Sequence, residues 1–297
     1  MHKRKLLYLV VAIVVLIIGI KVIVGNYYQL NGPVFPEHYL YRSTDRGGAD
    51  IRLYYFTDKD SRWTITEIKQ PTGDKVEFKV IDTNAESYSR YYDRHTVYIE
   101  ATARQPGKSE FDELTFVFNG GIEQTVAIGN LTLDFREPTG STGKFEVLAS
   151  GSSNTNRDFT QYQATEPLTL KKVHYELPGE LNEILRIVAY PDDIELAENE
   201  RNYQELLKFD ATDEPALQNR DLAIQLEQGQ TLILASYFDF TGSGLSELED
   251  NIHIQVDSQV VFVDGTGQEI MASYDSDYVP YLESGEIRAM AQTGLNK

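Results

Sequence analysis

The run TGSTGK at 139–144 is the nearest this chain comes to a phosphate-binding loop. Such a loop needs a glycine five positions ahead of its Gly-Lys pair and a Ser or Thr after the lysine. Here Pro138 stands five before Gly143, and Phe145 follows Lys144. The run therefore reads as a linker rich in turn residues. No G-x-S-x-G elbow and no H-E-x-x-H pair occurs. The five histidines, at 2, 38, 95, 174 and 253, are widely spaced, and each reads as a surface or strand residue. His253 lies between Ile252 and Ile254, so in a strand it faces away from them. There is no cysteine. That excludes disulfides, a Cys-ligated zinc site, a lipid-modified N-terminal Cys and a thiol nucleophile. No catalytic residue, cofactor or metal site is assigned, and the chain reads as non-enzymatic.

Carboxylates are the one abundant reactive group. The chain holds 46 acidic against 27 basic residues, a net charge of −19. A surface this acidic repels phosphate backbones and excludes nucleic acid as a partner. The acidic excess is heaviest beyond Gly143. Within it, Asp264, Glu269, Asp275 and Asp277 are a candidate calcium set, provided their turns meet at one end of a sandwich. The competing reading is a solvated acidic face. A pair of carboxyls across a cleft would instead suit a hydrolase of wall or surface polysaccharide, the alternative to a binding role. The single tryptophan, Trp63, sits at an alternating strand position and reads as core rather than as a sugar platform. Tyrosine is plentiful, at 19 residues, in keeping with half-buried strands. The loop NAESYSRYYDRHT at 84–96 stands out, because Arg90, Tyr91, Tyr92 and Arg94 are residue types enriched at binding hot spots.

The elements that must position these residues begin with an anchor. Residues 1–5 carry basic charge, and 6–24 are apolar except for Lys21. Nineteen helical residues rise about 28 Å, close to the hydrocarbon thickness of a bilayer. A cleavable signal has a shorter apolar core and a small-x-small site. This run ends Ile23-Val24-Gly25. It predicts a retained single-pass anchor with a cytoplasmic N-terminus, by the positive-inside rule, and an extracytoplasmic bulk.

Beyond the anchor the pattern is β. Val76, Phe78 and Val80 alternate with Lys75, Glu77 and Lys79, and Leu114, Phe116 and Phe118 alternate likewise. Asn119-Gly120 predicts positive φ for a tight turn into a strand over 122–128, and Leu131, Leu133 and Phe135 alternate again. Further strands are predicted at 51–56, 63–68 and 97–103, with a turn at 71–74. After the linker, strands are predicted at 145–148, 168–177, 185–190, 222–226, 231–238, 252–256 and 260–263. The stretch 198–209 fits helix or strand. Residues 284–294 predict a short helix with Ser284 as N-cap. The resulting fold class is all-β: a transmembrane helix over 6–24, then two antiparallel, Ig-like β-sandwiches over 30–137 and 144–297. The expected role is binding or scaffolding at the outer membrane face, with the membrane and a protein or surface polymer as partners. An accessory subunit of another membrane protein fits the same features. The first sandwich is expected to stand the second off the membrane.

Overall fold

The computed structural model describes residues 2–44, 47–59, 61–69, 75–137, 143–153, 156–190, 216–218, 220–241 and 252–294. The chain is mostly β with two helices among these residues. The turn expected at 71–74, the stretch 198–209 and residues 138–142 of the linker lie outside them.

Helix α1 (His2–Tyr28) has 27 residues and is about 40 Å long. From Val11 to Ile23 its apolar side chains point outward, unpacked by protein. Among the described residues it is the one helix long and apolar enough to cross a membrane.

Three sheets follow. The largest contains β1 (Glu37–Thr44), β3 (Ile65–Ile68), β6 (Gly107–Phe118), β7 (Ile122–Phe135), β10 (Leu168–His174), β12 (Ile224–Leu226), β14 (Ile252–Asp264) and β15 (Glu269–Tyr278). A three-stranded sheet joins β2 (Gly48–Asp58), β5 (Tyr92–Ala103) and β4 (Val76–Ser87). A four-stranded sheet runs β11 (Leu185–Tyr190), β13 (Thr231–Phe238), β9 (Arg157–Ala164) and β8 (Phe145–Ser152). Helix α2 (Ser284–Gly294) closes the described chain.

The large sheet is continuous through both halves of the sequence, and β14 is its seam. One edge of β14 pairs with β15 from Ile254 to Val263. The other edge is divided: Ile252–Val256 pair in parallel with β1, and Gln259–Asp264 pair with β10. The sheet therefore forks near Asp257. Strand β1 continues from there along β7, again in parallel, from His38↔Gly129 to Thr44↔Phe135.

Side-chain alternation along the seam feeds two cores. Leu40 enters the core between β2–β5–β4 and β7–β6–β3, with Leu53, Phe116 and Leu131. Tyr41 enters the core of the other half, with Val256, Phe262, Leu234 and Tyr162.

Several expectations are refined. The two strands expected at 252–256 and 260–263 are one strand. Those expected at 122–128 and 131–135 are also one. At its middle Gly129 has φ +95, and a Cβ there would lie 2.4 Å from the His38 carbonyl oxygen. Only glycine lets β1 approach so closely. The turn before β7 takes its positive φ at Gly120 and Gly121, not at Asn119. Helix α2 is capped one residue earlier than expected. Glu286 accepts the Glu283 N–H at 2.5 Å, while the Ser284 hydroxyl meets Ser89 at 3.1 Å.

Candidate functional site

Two places gather reactive side chains. The first is the seam. Strand β2 is an edge strand, and its outward amides at alternate residues need partners. Phe56 exchanges backbone bonds with Val34 at 2.8 and 2.9 Å. The Tyr54 N–H donates to His38 Nε2 at 3.0 Å, and the Arg52 N–H donates to Gln255 Oε1 at 3.3 Å. Side chains of the large sheet thus cap the free edge of the small one.

This fixes the chemistry of His38. It is fully buried, and its Nε2 must accept. The ring is therefore neutral with its proton on Nδ1. Burial, reinforced by the nearby His253, holds its pKa well below the ordinary histidine value.

His253, also fully buried, is the register partner of His38, and the rings meet edge to face at 5.2 Å. Its Nε2 lies 2.9 Å from Asp277 Oδ1, the other Asp277 oxygen pairs with Arg52, and Nδ1 has no hydrogen-bond partner. The expectation that His253 faces away from Ile252 and Ile254 holds. His38, His95, His174 and His253 are strand residues, within the expectation of surface or strand positions, but wide spacing in sequence does not keep them apart in the fold. His38, His95 and His253 are all buried, and parallel pairing of β1 with β14 brings two of them together.

Carboxylates complete the cluster. Arg42 Nη1 lies 2.6 Å from Asp275 and 3.4 Å from Asp257. Burial pushes Asp257 up to about 6, restrained by Arg42. Burial pushes Asp158 of β9 up to about 7, although its Oδ2 accepts the Asp277 N–H at 2.9 Å. Burial also raises Asp277, but His253 and the arginines outweigh it and leave the group below the usual carboxylate range. The carboxylates find their partners inside the cluster, while Arg42 Nε and His253 Nδ1 are left without one. The His253–Asp277 pair has the geometry of a base and its orienting acid, but no nucleophile bonds the remaining nitrogen.

The calcium set does not assemble. Asp264 sits in the β14–β15 turn, where Oδ1 accepts the Thr266 and Gln268 amides and Oδ2 meets Lys144. Asp275 and Asp277 lie six and eight residues along β15 from Glu269, about 20 Å or more away. Among the described residues no group of His, Asp or Glu is arranged to hold a metal ion. A surface depression of about 480 Å³, lined by Lys172, His174, Tyr175, Glu176, Leu177 and Asn182, presents one carboxylate. Lys108 Nζ sits on that carboxylate at 2.6 Å.

The second place is the end of α1. The Tyr28 ring stacks on Tyr91, with centroids 4.2 Å apart and planes at 11°. The Tyr92 hydroxyl, on a side chain with no exposure, donates to the Tyr28 carbonyl at 2.8 Å. Arg90 lies over Tyr91, and Arg94 lies between Tyr54 and Tyr88 while pairing with Glu86. From α2, Arg288 covers the Tyr27 ring at 3.6 Å and its Nε donates to the Tyr27 carbonyl. Leu282 donates its amide to the Tyr88 hydroxyl at 2.7 Å. Leu30, Phe56, Tyr92, Leu282 and Ile287 pack beneath. The loop singled out for its arginines and tyrosines is thus an internal dock for both helices. Its aromatic residues were legible as a binding surface; that the bound element is the chain's own helix was not. Helix α2, from the second half of the sequence, thus also reaches α1.

Compared with known protein families and with curated proteins, the sequence matches none.

Proposed function

We propose that the chain is a single-pass membrane-anchored protein whose β body is extracytoplasmic and serves a non-enzymatic binding or scaffolding role at the outer membrane face. The body is read as two sandwich-like, Ig-like halves built on one shared sheet. The observation that carries the reading is the union of α1 with the body. An outward-facing apolar helix runs without a break into an aromatic dock that grips its last two residues. Removal near Asn26 would have to cut inside a helix that is continuous from His2 to Tyr28, where the backbone is not extended for a protease. The basic N-terminus favours a cytoplasmic start. The binding role is supported by the internal pairing of the reactive side chains at the seam, which leaves them committed to holding the layers. The outer surface is then the working part, with a protein or surface polymer as the partner class.

The test is topological. With a C-terminal tag, protease added to intact protoplasts should remove the tag, and the mature N-terminus should lie within residues 1–5. A tag that survives while the cells stay sealed contradicts the orientation. A mature N-terminus near Asn26 contradicts the anchor.

A further inference from the structure

We infer that the α1-bearing end of the body sits on the bilayer, with α2 and Tyr281 in contact with the lipid headgroup layer. The inference rests on the anchor reading and concerns what the body does once the helix is inserted.

The first support is the lack of slack. Tyr27, Tyr28 and Leu30 are each tied to the body: Tyr27 by Arg288, Tyr28 by Tyr91 and Tyr92, and Leu30 through its amide to Asp58 Oδ1 at 2.9 Å. A flexible linker would let the body drift; none separates it from the helix.

The second is depth. About 20 helical residues cross the hydrocarbon. Counted from Leu6 or Tyr8, the crossing ends between Gly25 and Tyr27. The dock therefore begins within about one helical turn, about 5.4 Å, of the hydrocarbon edge. Arg288 touches Tyr27, so α2 lies at that level too.

The third is composition. Tyrosines and arginines are the side chains that suit the headgroup layer, with rings at the apolar boundary and polar ends in water. Tyr27 is 53% exposed there and Arg90 is exposed. Tyr281, beside Tyr88 at 5.9 Å, is 79% exposed, the highest of any large hydrophobic side chain among the described residues. A single exposed tyrosine needs no cover by itself, but Tyr281 borders the cluster of Tyr88, Leu282, Tyr28 and Leu30 at the end of α1, where a ring suits the headgroup layer. Lipid is the surface that continuity with α1 provides. With a net charge of −19 the chain is not drawn to anionic lipid, so the contact is aromatic and does not depend on anionic headgroups.

The absence of cysteine makes the test direct. Single cysteines are placed at Val15, Tyr281, Ala289 and Gln268 of the full chain, labelled with a nitroxide, and reconstituted in phosphatidylcholine nanodiscs. Val15 reports insertion, Gln268 marks the far β14–β15 turn, and all four side chains are exposed, so the fold tolerates the labels. Collision rates with oxygen and with a water-soluble nickel chelate give depth. The oxygen-to-nickel ratio at Val15 should exceed that at Gln268 several-fold, with Tyr281 and Ala289 at headgroup values between them. Adding phosphatidylglycerol should leave the order unchanged. If Val15 is deep while Tyr281 and Ala289 match Gln268, the anchor stands and the seating is wrong. If Val15 itself is aqueous, the anchor reading falls and the seating falls with it.

Discussion

His38 accepts the backbone N–H of Tyr54 through Nε2, so a histidine side chain completes the ladder of an edge strand. The neighbouring bonds at Phe56 and Arg52 show the same device, using a backbone bridge and a glutamine. The small sheet is held along its free edge as well as by its apolar face.

Removing that acceptor leaves a buried donor without a partner. His38→Leu keeps the bulk and should cost about 2–3 kcal/mol, the usual range for an orphaned buried group with some repacking. Equilibrium urea unfolding reads the cost. Hydrogen exchange of a peptide covering 52–56 should lose protection, whereas an equally destabilising core variant on β11 would leave that segment's relative protection unchanged.

Asp277 joins His253 and Arg52. Asp277→Asn keeps the shape but removes the charge and presents an amide where the neighbours donate. Breaking a fully buried pair costs about 3–5 kcal/mol. Arg52's side chain is 31% exposed, which lets water recover part of the loss. The expected cost is about 2–3 kcal/mol, read as a lower denaturation midpoint with an unchanged slope.

Gly129 marks where β1 joins β7. Gly129→Ala meets the His38 backbone, which cannot step aside, and its φ of +95 is unfavourable for any side chain. The expected loss is at least about 2 kcal/mol. Gly151→Ala meets the edge of the Phe159 ring at 2.7 Å with ordinary φ. A ring can shift, so the ordering Gly129→Ala worse than Gly151→Ala is the measurable outcome.

Asp158 gives a pH signature. Its folded pKa, about 7, lies above the unfolded value of 3.8, so the native state binds this proton more tightly. The stability it contributes is whole below about pH 4 and is lost as pH rises through 7. His38 acts oppositely. Its lowered folded pKa costs stability as pH falls below about 6.5. Comparing Asp158→Asn with the parent cancels His38. An asparagine oxygen can still accept the Asp277 amide. The stability difference in favour of the variant should rise from near zero at pH 4 to about 3–4 kcal/mol at pH 8. A difference that stays flat across that range would show that Asp158 titrates normally.

The parts of the fold that alternate were legible. Strands β4 and β6 show period-two patterns because one face meets a core and the other meets water. Strand β1 was not legible, because it is buried on both faces and EHYLYRST carries no alternation. Strands β9 and β15 hide for a related reason: Asp158, Asp275 and Asp277 are polar residues buried against partners from distant strands. The polar Asp257-Ser258-Gln259 split β14 in the sequence, yet it is where Arg42 and Tyr41 bind as the sheet forks. The histidine cluster depends on parallel pairing of β1 with β14, and nothing local in either strand encodes that register.

The dock on α1 yields the last expectation. Tyr28 is held by one stacked ring and one hydroxyl, so the two contributions separate. Tyr92→Phe removes the bond to the Tyr28 carbonyl and should cost about 1 kcal/mol, leaving the helix in place. Tyr91→Ala removes the stacked ring that covers Tyr28. Aromatic pairs contribute about 0.5–1.5 kcal/mol beyond their buried area, and the lost area adds to that. Because opening here is local, the effect belongs to the 26–33 segment rather than to global unfolding. Chymotrypsin cleaves after tyrosine, and Tyr27 and Tyr28 are its targets. In detergent the parent should resist cleavage at this site. Tyr91→Ala should be cut there at least several-fold faster, releasing an intact β body, with Tyr92→Phe between the two. Equal cleavage rates in all three would mean that Tyr91 and Tyr92 do not hold the helix, leaving Arg288 on Tyr27 and Asp58 on Leu30 as its ties to the body.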